Sequence, residues 1–271
     1  MFGPLLQTLR QRRPLIHSIT NYVTINDCAN ILLAAGASPI MADAPEEAAE
    51  ITARCQGLTL NLGMVHADRI PAMLASGRQA NAMGIPVVLD PVGAGASTFR
   101  TDTAHRLLLE VRFAVIRGNL SEILALAGGA GHSRGVDTAD TLTARTRDAD
   151  IALAKELARR TGAVVAVTGP TDLVTDGSAV CEIHNGHPMM GSVTGTGCML
   201  SCLTAAFVAA NPAEPFRAAA AAVCAMGLCG EIAYDRLQPG EGNASYRTRI
   251  LDAVYNLTPD ALEEGARYEL H

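Results

Sequence analysis

The stretch SVTGTGCML at residues 192–200 combines residue types that can bind an anion. Its glycines let the backbone approach a ligand closely, and the apolar run that follows predicts a helix beginning near Cys198. Free N–H groups at a helix N-terminus, together with the helix dipole, favour bound anions such as phosphate. The sequence therefore predicts an anion-binding loop formed by the backbone of Gly195, Thr196, Gly197 and Cys198.

Cys198 is an unusual residue with which to end such a loop. Where a phosphoryl group moves to an alcohol, a carboxylate more commonly stands there to accept the proton. A thiol with an ordinary pKa near 8.5 is only slightly ionised at neutral pH, and we expect the helix terminus to lower that pKa by at most about 1.5 units. The thiol is therefore either a weak proton acceptor, a group that orients the alcohol, or a small residue packed at the helix start.

Polar residues or glycines follow each of six predicted strands. They are Asn21, Asp43, Gly63, Asp90, Arg117 with Asn119, and Thr168 with Gly169. Ligands bind outside the carboxyl ends of the strands in open parallel sheets, so we expect these residues to face one crevice. The alternative is that strand ends are polar only because loops are solvated. This explanation is weaker when six consecutive strands show the same feature.

Two of these junctions also offer carboxylates. Asp90 precedes a Gly-Ala-Gly loop and could hold Mg²⁺ through water, although a lone turn aspartate is an equal alternative. Glu122 lies near the first turn of a predicted helix, where capping competes with metal binding. The hydroxyl of Thr168 suits a nucleotide phosphate or ribose, or a simple turn.

The histidines and Cys202 are weaker candidates for a metal site or a substrate contact. His184 and His187 flank an Asn-Gly turn without acidic or cysteine companions, so we interpret them as surface turn residues rather than metal ligands. His17 and His66 lie near strand ends, where a structural role is favoured over substrate contact. Cys202 follows Cys198 by one helical turn and is interpreted as a buried thiol.

Short β-branched runs alternate with helical stretches through the first two thirds of the chain. The predicted strands are 15–20, 38–43, 58–63, 86–91, 113–119 and 163–169. The predicted helices are 24–35, 46–55, 67–83, 102–111, 121–127 and 147–161. The alternation predicts an α/β fold of three layers, with helices on both faces of a mostly parallel sheet.

The pattern changes after residue 169. Turn signals at 176–177 and 185–186 predict short antiparallel hairpins appended to the sheet. Further helices are predicted over 198–210, 213–236, about 245–256 and 259–268. Residues 128–143 are rich in Gly and Thr and predict a surface excursion. No linker divides the sequence, which indicates a single domain over residues 1–271.

The bulk composition limits the possible partners. The 49% hydrophobic and 18% charged residues predict a soluble globular protein. The net charge of −6 argues against a nucleic-acid surface. Apolar segments 199–210 and 218–230 are shorter than the about 20 residues that span a bilayer, so we expect no membrane partner. Seven cysteines without C-x-x-C spacing favour reduced thiols and a cytoplasmic location.

Seven motifs together resemble the hydroxyethylthiazole kinases of thiamine biosynthesis and salvage, which have the ribokinase-like fold. The resemblance runs from about residue 14 to residue 236, and GTGC in place of GTGD is a mark of this family within the fold. The motifs are TNYVTINDCAN (20–30), ASPIMAD (37–43), LNLG (60–63), VVLDPVGAGAS (87–97), IRGN with SE (116–122), VTG (167–169) and SVTGTGCMLS (192–201).

The resemblance implies ATP-dependent phosphorylation of 4-methyl-5-(2-hydroxyethyl)thiazole with Mg²⁺. It places the thiazole against Met41, with Asn21, Gly63 and the Gly195 backbone nearby. It assigns ATP to Arg117 and Thr168, with Asn119 beside them, and magnesium to Asp90 and Glu122, mostly through water. It also implies a homotrimer whose thiazole pockets lie between subunits.

Two functions from other classes remain as alternatives. One is a nucleotide-dependent lyase of the same fold that dehydrates hydrated nicotinamide cofactors, and the other is a nucleotide sensor without catalysis. The lyases carry an aspartate in the GxGD loop, so Cys198 argues against them. Kinases of the pyrimidine half of thiamine or of pyridoxal also carry that aspartate, and their substrate loops differ from ASPIMAD.

Overall fold

A computed structural model describes residues 1–128 and 146–271 of the chain. In these residues one nine-stranded sheet has the strand order β2-β1-β3-β4-β5-β6-β7-β8-β9. Strands β1 to β6 pair in parallel and β7 to β9 antiparallel, which confirms the predicted mostly parallel sheet. The strands are β1 (Leu15–Ile19), β2 (Ser38–Ile40), β3 (Gly57–Asn61), β4 (Val87–Asp90), β5 (Val115–Asn119), β6 (Val164–Thr168), β7 (Asp172–Thr175), β8 (Val180–Ile183) and β9 (Tyr268–Leu270).

Helices join the parallel strands and close the C-terminal part of the chain. Gly36, Gly84 and Gly162 end three of them with positive φ, a conformation that glycine adopts without strain. The helices in the described part are α1 (Gly3–Arg12), α2 (Ile25–Ala35), α3 (Ala48–Thr52), α4 (Ile70–Met83), α5 (Thr98–Glu110), α6 (Leu120–Ala127), α7 (Arg147–Thr161), α8 (Thr196–Ala210), α9 (Pro215–Asp235), α10 (Asn243–Asn256) and α11 (Pro259–Gly265).

Two hydrophobic clusters lie on the two faces of the sheet. Strand side chains alternate between faces, so Val88 belongs to the cluster with α1, α2, α8, α9 and α10. Its neighbours Val87 and Leu89 belong to the cluster with α4, α5, α6 and α7. Both faces are therefore covered, and the three-layer α/β/α architecture is confirmed.

The strand order reverses at one point in the sheet. From β1 the chain first adds β2 on one side and then places β3 on the other side of β1. At such a switch point the loops leave in opposite directions and open a crevice beyond the carboxyl ends of the strands. Asn21 follows β1 and Asn61 ends β3, so both lie at this crevice.

The prediction of a second hairpin is wrong. Asn185-Gly186 does not turn β8 back on itself, and residues 188–192 form a 3₁₀ helix instead of a strand. The side chain of Asn185 donates to the Gly265 carbonyl and accepts from the Arg267 amide, so it ties this loop to the C-terminal segment. Strand β9 then pairs with β8 in the place predicted for the hairpin.

Several boundaries also differ from those predicted. Helix α5 begins at Thr98 because Ser97 caps it, and α11 ends at Gly265 because the chain turns into β9. Helix α1 and strand β9 were not predicted. Apart from Gly128, the predicted surface excursion at 128–143 lies outside the described residues.

Helix α9 agrees with the helix predicted over 213–236 and extends beyond its apolar segment 218–230. Its 21 residues are long and apolar enough to cross a membrane by length and composition. However, 78% of its most apolar 18-residue stretch is buried inside the protein, as is typical of the core helix of a soluble fold. Its alanines pack against α8, α10 and the sheet.

Candidate active site

The loop before α8 carries the predicted anion site at the crevice. None of the backbone N–H groups of residues 195–198 donates a hydrogen bond within the part of the chain that the structure describes. The Thr196 hydroxyl turns away to the carbonyls of Met190 and Val193. Four amides are thus available to an anion at the positive end of a 15-residue helix.

Close neighbours occupy the space beside both glycines of the loop. Gly195 has φ of +95°, and an added Cβ would lie 2.6 Å from Cγ2 of Thr24. At Gly197 an added Cβ would lie 2.6 Å from Nη1 of Arg117. The absence of side chains here lets α2 and the Arg117 guanidinium approach the helix start.

Cys198 is a buried thiol held by two asparagine amides. The Nδ2 atoms of Asn21 and Asn61 each lie 3.3 Å from its sulfur. Burial raises the pKa of Cys198, and the nearby negative charge of Asp90 raises it further. The pKa of Cys198 therefore lies above its ordinary value, and the thiol is neutral at pH 7.

The Asp90 carboxylate, fully buried at the end of β4, lies beneath this thiol. Its Oδ2 atom accepts from Asn61 Nδ2 at 2.7 Å and from Ser201 Oγ at 2.8 Å. Its Oδ1 atom has no hydrogen-bond partner among the described residues and lies 3.6 Å from Arg117 Nη1. Burial raises the pKa of Asp90, while Arg117 and these hydrogen bonds oppose the rise.

Arg117 connects the anion loop to the last parallel strand. Its Nη2 atom donates to Thr168 Oγ1 at 2.9 Å, and Thr168 in turn donates to the Gly118 carbonyl. Arg117 and Thr168 line a cavity of about 500 Å³ that extends from Gly197 to Met226. The predicted nucleotide residues Arg117 and Thr168 therefore meet the anion loop at one end of this cavity.

Glu122 and Asn119 form a capping box at the start of α6. The carboxylate accepts from the amides of Asn119 and Gly93, each at 2.9 Å, and so ties the loop after β4 to the end of β5. Burial raises the pKa of Glu122, and these two amides oppose the rise. Asn119 thus acts as a cap through its side chain, which accepts from the Glu122 amide.

The predicted substrate residues lie on the other side of the anion loop. Asn21 is buried, and its Oδ1 atom accepts from both the backbone and hydroxyl of Thr24. The Gly63 amide donates to Asn61 Oδ1, and a Cβ at Gly63 would lie 2.8 Å from Asn21. Met41 is partly buried in the loop after β2.

A buried arginine fixes the two loops that carry these residues. Arg69 donates to the Thr20 carbonyl at 2.7 Å and pairs with Asp43 at 3.0 Å. Its guanidinium also lies 4.7 Å from the ring centre of Tyr22, whose hydroxyl donates to Asp43. Arg69 therefore holds the loop after β1 against the loop after β2.

The histidines have structural contacts. His17 is buried between Thr52 and the Ala42 carbonyl, and burial lowers its pKa, so it is the structural residue that was favoured. His66 is exposed. His184 pairs with Glu269, whereas His187 stacks on Tyr234 with ring centres 3.6 Å apart.

Three residues of the site were not singled out from the sequence: Asn61, Ser201 and Arg69. Asn61 interrupts an apolar strand, and Ser201 occurs one turn into an apolar helix, so each was a polar residue in a buried pattern. That pattern is a usable signal because buried polar groups require partners. In the described residues no group of three or more His, Cys, Asp or Glu side chains forms a metal site.

Comparisons with known proteins show the family of the chain. The sequence matches the Hydroxyethylthiazole kinase family over residues 6–260. It is 53% identical over 266 residues to a hydroxyethylthiazole kinase of Clostridium acetobutylicum, which covers 97% of each chain. A protein of the same name from Methanosphaerula palustris is 48% identical over 266 residues, covering 98% of this chain and 97% of its own.

Solved structures extend the comparison to the fold. A hydroxyethylthiazole kinase protein from Pyrococcus horikoshii is 36% identical, with a TM-score of 0.87 that covers 100% of this chain and 98% of that one. A ribokinase-like superfamily protein from Enterococcus faecalis, 13% identical with a TM-score of 0.63 over 97% of this chain and 95% of its own, shares the fold alone. The fold is ribokinase-like, and the chain belongs to the hydroxyethylthiazole kinase family.

Proposed function

We propose that the protein transfers the γ-phosphoryl group of ATP to the hydroxyl of 4-methyl-5-(2-hydroxyethyl)thiazole, for thiamine biosynthesis or salvage. The observation that carries the proposal is the row of free amides at residues 195–198, which meets Arg117 on one side and Cys198 with Asn21 on the other. An anion held there lies between a nucleotide cavity and the predicted substrate loops.

The chemistry that this arrangement supplies is mainly electrostatic. Phosphoryl transfer passes through a loose transition state, so positioning and charge stabilisation dominate its catalysis. The amides of Gly195, Thr196, Gly197 and Cys198 would hold the migrating group, and Arg117 would neutralise its negative charge. The thiazole would be positioned by Met41, Asn21, Gly63 and the Gly195 backbone. The nucleotide would be positioned by Arg117, Thr168 and Asn119.

Cys198 would orient the acceptor alcohol rather than remove its proton. Its raised pKa leaves little thiolate at neutral pH, and a neutral thiol is a poor base. The amides of Asn21 and Asn61 donate to the sulfur, so the S–H would be the group that contacts the alcohol oxygen.

Magnesium is the metal that we propose for this site. Asp90 has a buried oxygen without a hydrogen-bond partner among the described residues, and an anionic oxygen of this kind fits a hard cation or its bound water. Glu122 fits less directly because both of its oxygens accept backbone amides. When bound, Mg²⁺ would neutralise charge on the phosphates, and Asp90 with Glu122 would hold its water shell.

We further propose a homotrimer in which a second subunit completes the thiazole pocket. Tyr22 and Val23 adjoin the substrate residue Asn21, and their side chains are 54% and 62% exposed. Met64, next to Gly63, is also exposed. Apolar side chains grouped around a substrate site favour coverage by another chain.

The remaining proposals concern organisation and location. We propose that residues 1–271 form one domain, because β9 pairs with β8 and α1 packs against α8 and α11. We also propose a cytoplasmic location. All seven cysteines are free thiols, which a reducing compartment maintains.

The substrate is tested by an ADP-release assay on hydroxyethylthiazole, hydroxymethylpyrimidine, pyridoxal and ribose. We expect kcat/KM for hydroxyethylthiazole to exceed the others at least about 100-fold, because an alcohol whose remaining polar groups do not match the pocket leaves buried groups unpaired. Reactions without acceptor give the background. Preference for another alcohol would overturn the substrate, and ATP binding without turnover would indicate a sensor.

Gly197→Ala tests the role of Arg117. The new Cβ would push the guanidinium away from Thr168 and Asp90, so we expect KM for ATP to rise about tenfold or more, the effect of losing a hydrogen bond to a charged group. Gly191→Ala is the matched control, because Gly191 lines the same cavity and an added Cβ meets nothing within 4 Å. Equal KM values for both variants would contradict this role.

Cys198→Ala tests the role of the thiol. We expect kcat to fall less than the about 100-fold that removal of a general base typically costs, with an unchanged pH profile. Cys202→Ala, one turn along α8 and fully buried, controls for packing losses. A larger loss of kcat, together with disappearance of an ionisation from the pH profile, would identify Cys198 as the base.

The assembly is tested by light scattering coupled to size-exclusion chromatography. We expect a mass of three 28.3 kDa chains for the native protein. Val23→Glu should lower that mass and raise KM for hydroxyethylthiazole, because it buries a charge in the contact. Leu109→Glu, at a side chain that is 87% exposed, should change neither. A monomeric and fully active native protein would refute the trimer.

A further inference from the structure

The nucleotide cavity has two ends of different chemistry. At one end lie Arg117 and the free amides of the anion loop, which suit the triphosphate. At the other end Val223 and Met226 of α9 give an apolar wall, and the Asn185 backbone packs against Gly227 so closely that a Cβ there would lie 2.6 Å from its carbonyl oxygen. Such a wall suits a purine ring.

Asp172 lies in this cavity without a role in the chemistry described above. It is the only carboxylate among the described residues that line the cavity. Its Oδ1 atom accepts from the Gly169 amide at 2.9 Å, which closes the turn between β6 and β7 and fixes the side chain. Because Leu173 pairs with Val167 in the antiparallel ladder, this turn places Asp172 next to Thr168, whose hydroxyl accepts from Arg117.

The chemistry of a nucleotide limits what such a carboxylate can contact. The triphosphate is itself anionic and would be repelled, and an apolar purine face offers nothing to a hydrogen-bond acceptor. The ribose between them presents two adjacent hydroxyl donors. Burial raises the pKa of Asp172 to about 6, so the group is an ionised, acceptor-only carboxylate at pH 8.

We infer that Asp172 accepts hydrogen bonds from the ribose hydroxyls of ATP and makes the site selective for ribonucleotides over deoxyribonucleotides. The inference rests on the proposed use of ATP. A carboxylate that receives a ribose diol is a general device of nucleotide sites. One Asp172 oxygen would keep the hydrogen bond of the turn, and the other would accept from the ribose.

Binding measurements without any acceptor alcohol test the inference. Isothermal titration calorimetry at pH 8 compares ADP with 2′-deoxy-ADP on the native protein and on Asp172→Asn. We expect the native protein to bind ADP about tenfold more tightly than 2′-deoxy-ADP, as for one charge-assisted hydrogen bond. In Asp172→Asn, which can still accept from the Gly169 amide, the ratio should fall to about twofold or less by the same reasoning.

Asp176→Asn is the matched control, because Asp176 caps the next turn through the Ser178 and Ala179 amides and does not line the cavity. The Asp176→Asn variant should keep the native ratio of the affinities for ADP and 2′-deoxy-ADP. Equal affinities of the native protein for both nucleotides, or an unchanged ratio in Asp172→Asn, would overturn the inference and leave the proposed function standing. If Asp172→Asn instead altered the preference for ADP over inosine diphosphate, the carboxylate would contact the base and the inference would be wrong. No binding of either nucleotide would refute the proposed function itself.

Discussion

The buried charge of Asp90 constrains the whole site. A carboxylate without solvent is stable in a protein only if other groups replace its water, and here Asn61, Ser201 and Arg117 do so from β3, α8 and β5. Because each partner comes from a different element, the charge fixes the position of α8 relative to three neighbouring strands. The anion loop at the start of α8 therefore has a defined place above the sheet.

The fold was largely predictable because its parallel part follows local rules. Alternating strand and helix patterns require two covered faces, and all six parallel strands and their connecting helices occur near the predicted positions. The errors lie where distant contacts decide. Asn185 has the chemistry of a hairpin turn, yet its side chain bonds to Gly265 and Arg267, about 80 residues away. Strand β9 has three residues and is a strand only because β8 offers an unpaired edge.

The site was predictable where backbone geometry demands a particular residue. Gly195 could be identified from spacing, since its positive φ and the close approach of Thr24 both favour glycine. Gly197 could be identified from the same motif, and its lack of a side chain leaves room for the Arg117 guanidinium. The side-chain partners were harder to identify. Asn61 and Arg69 contact side chains that are 26 to 137 residues away in sequence, and local patterns carry no information about such distant partners. The ionisation of Cys198 depends on burial and on Asp90, which only the folded chain brings together.

The same buried charge explains why a thiol can occupy position 198. A carboxylate there would add a second anion beside Asp90, in the place where we propose that an anionic phosphoryl group binds. Like charges at close range in a dry site cannot all stay ionised. A neutral thiol avoids that repulsion and still offers a polar atom to the alcohol. In the proposed reaction the cost in basicity would be small, because the amides of the anion loop and Arg117 would supply the larger electrostatic contribution. Cys198 is therefore consistent with catalysis by charge stabilisation in a site whose negative charge is already provided by Asp90.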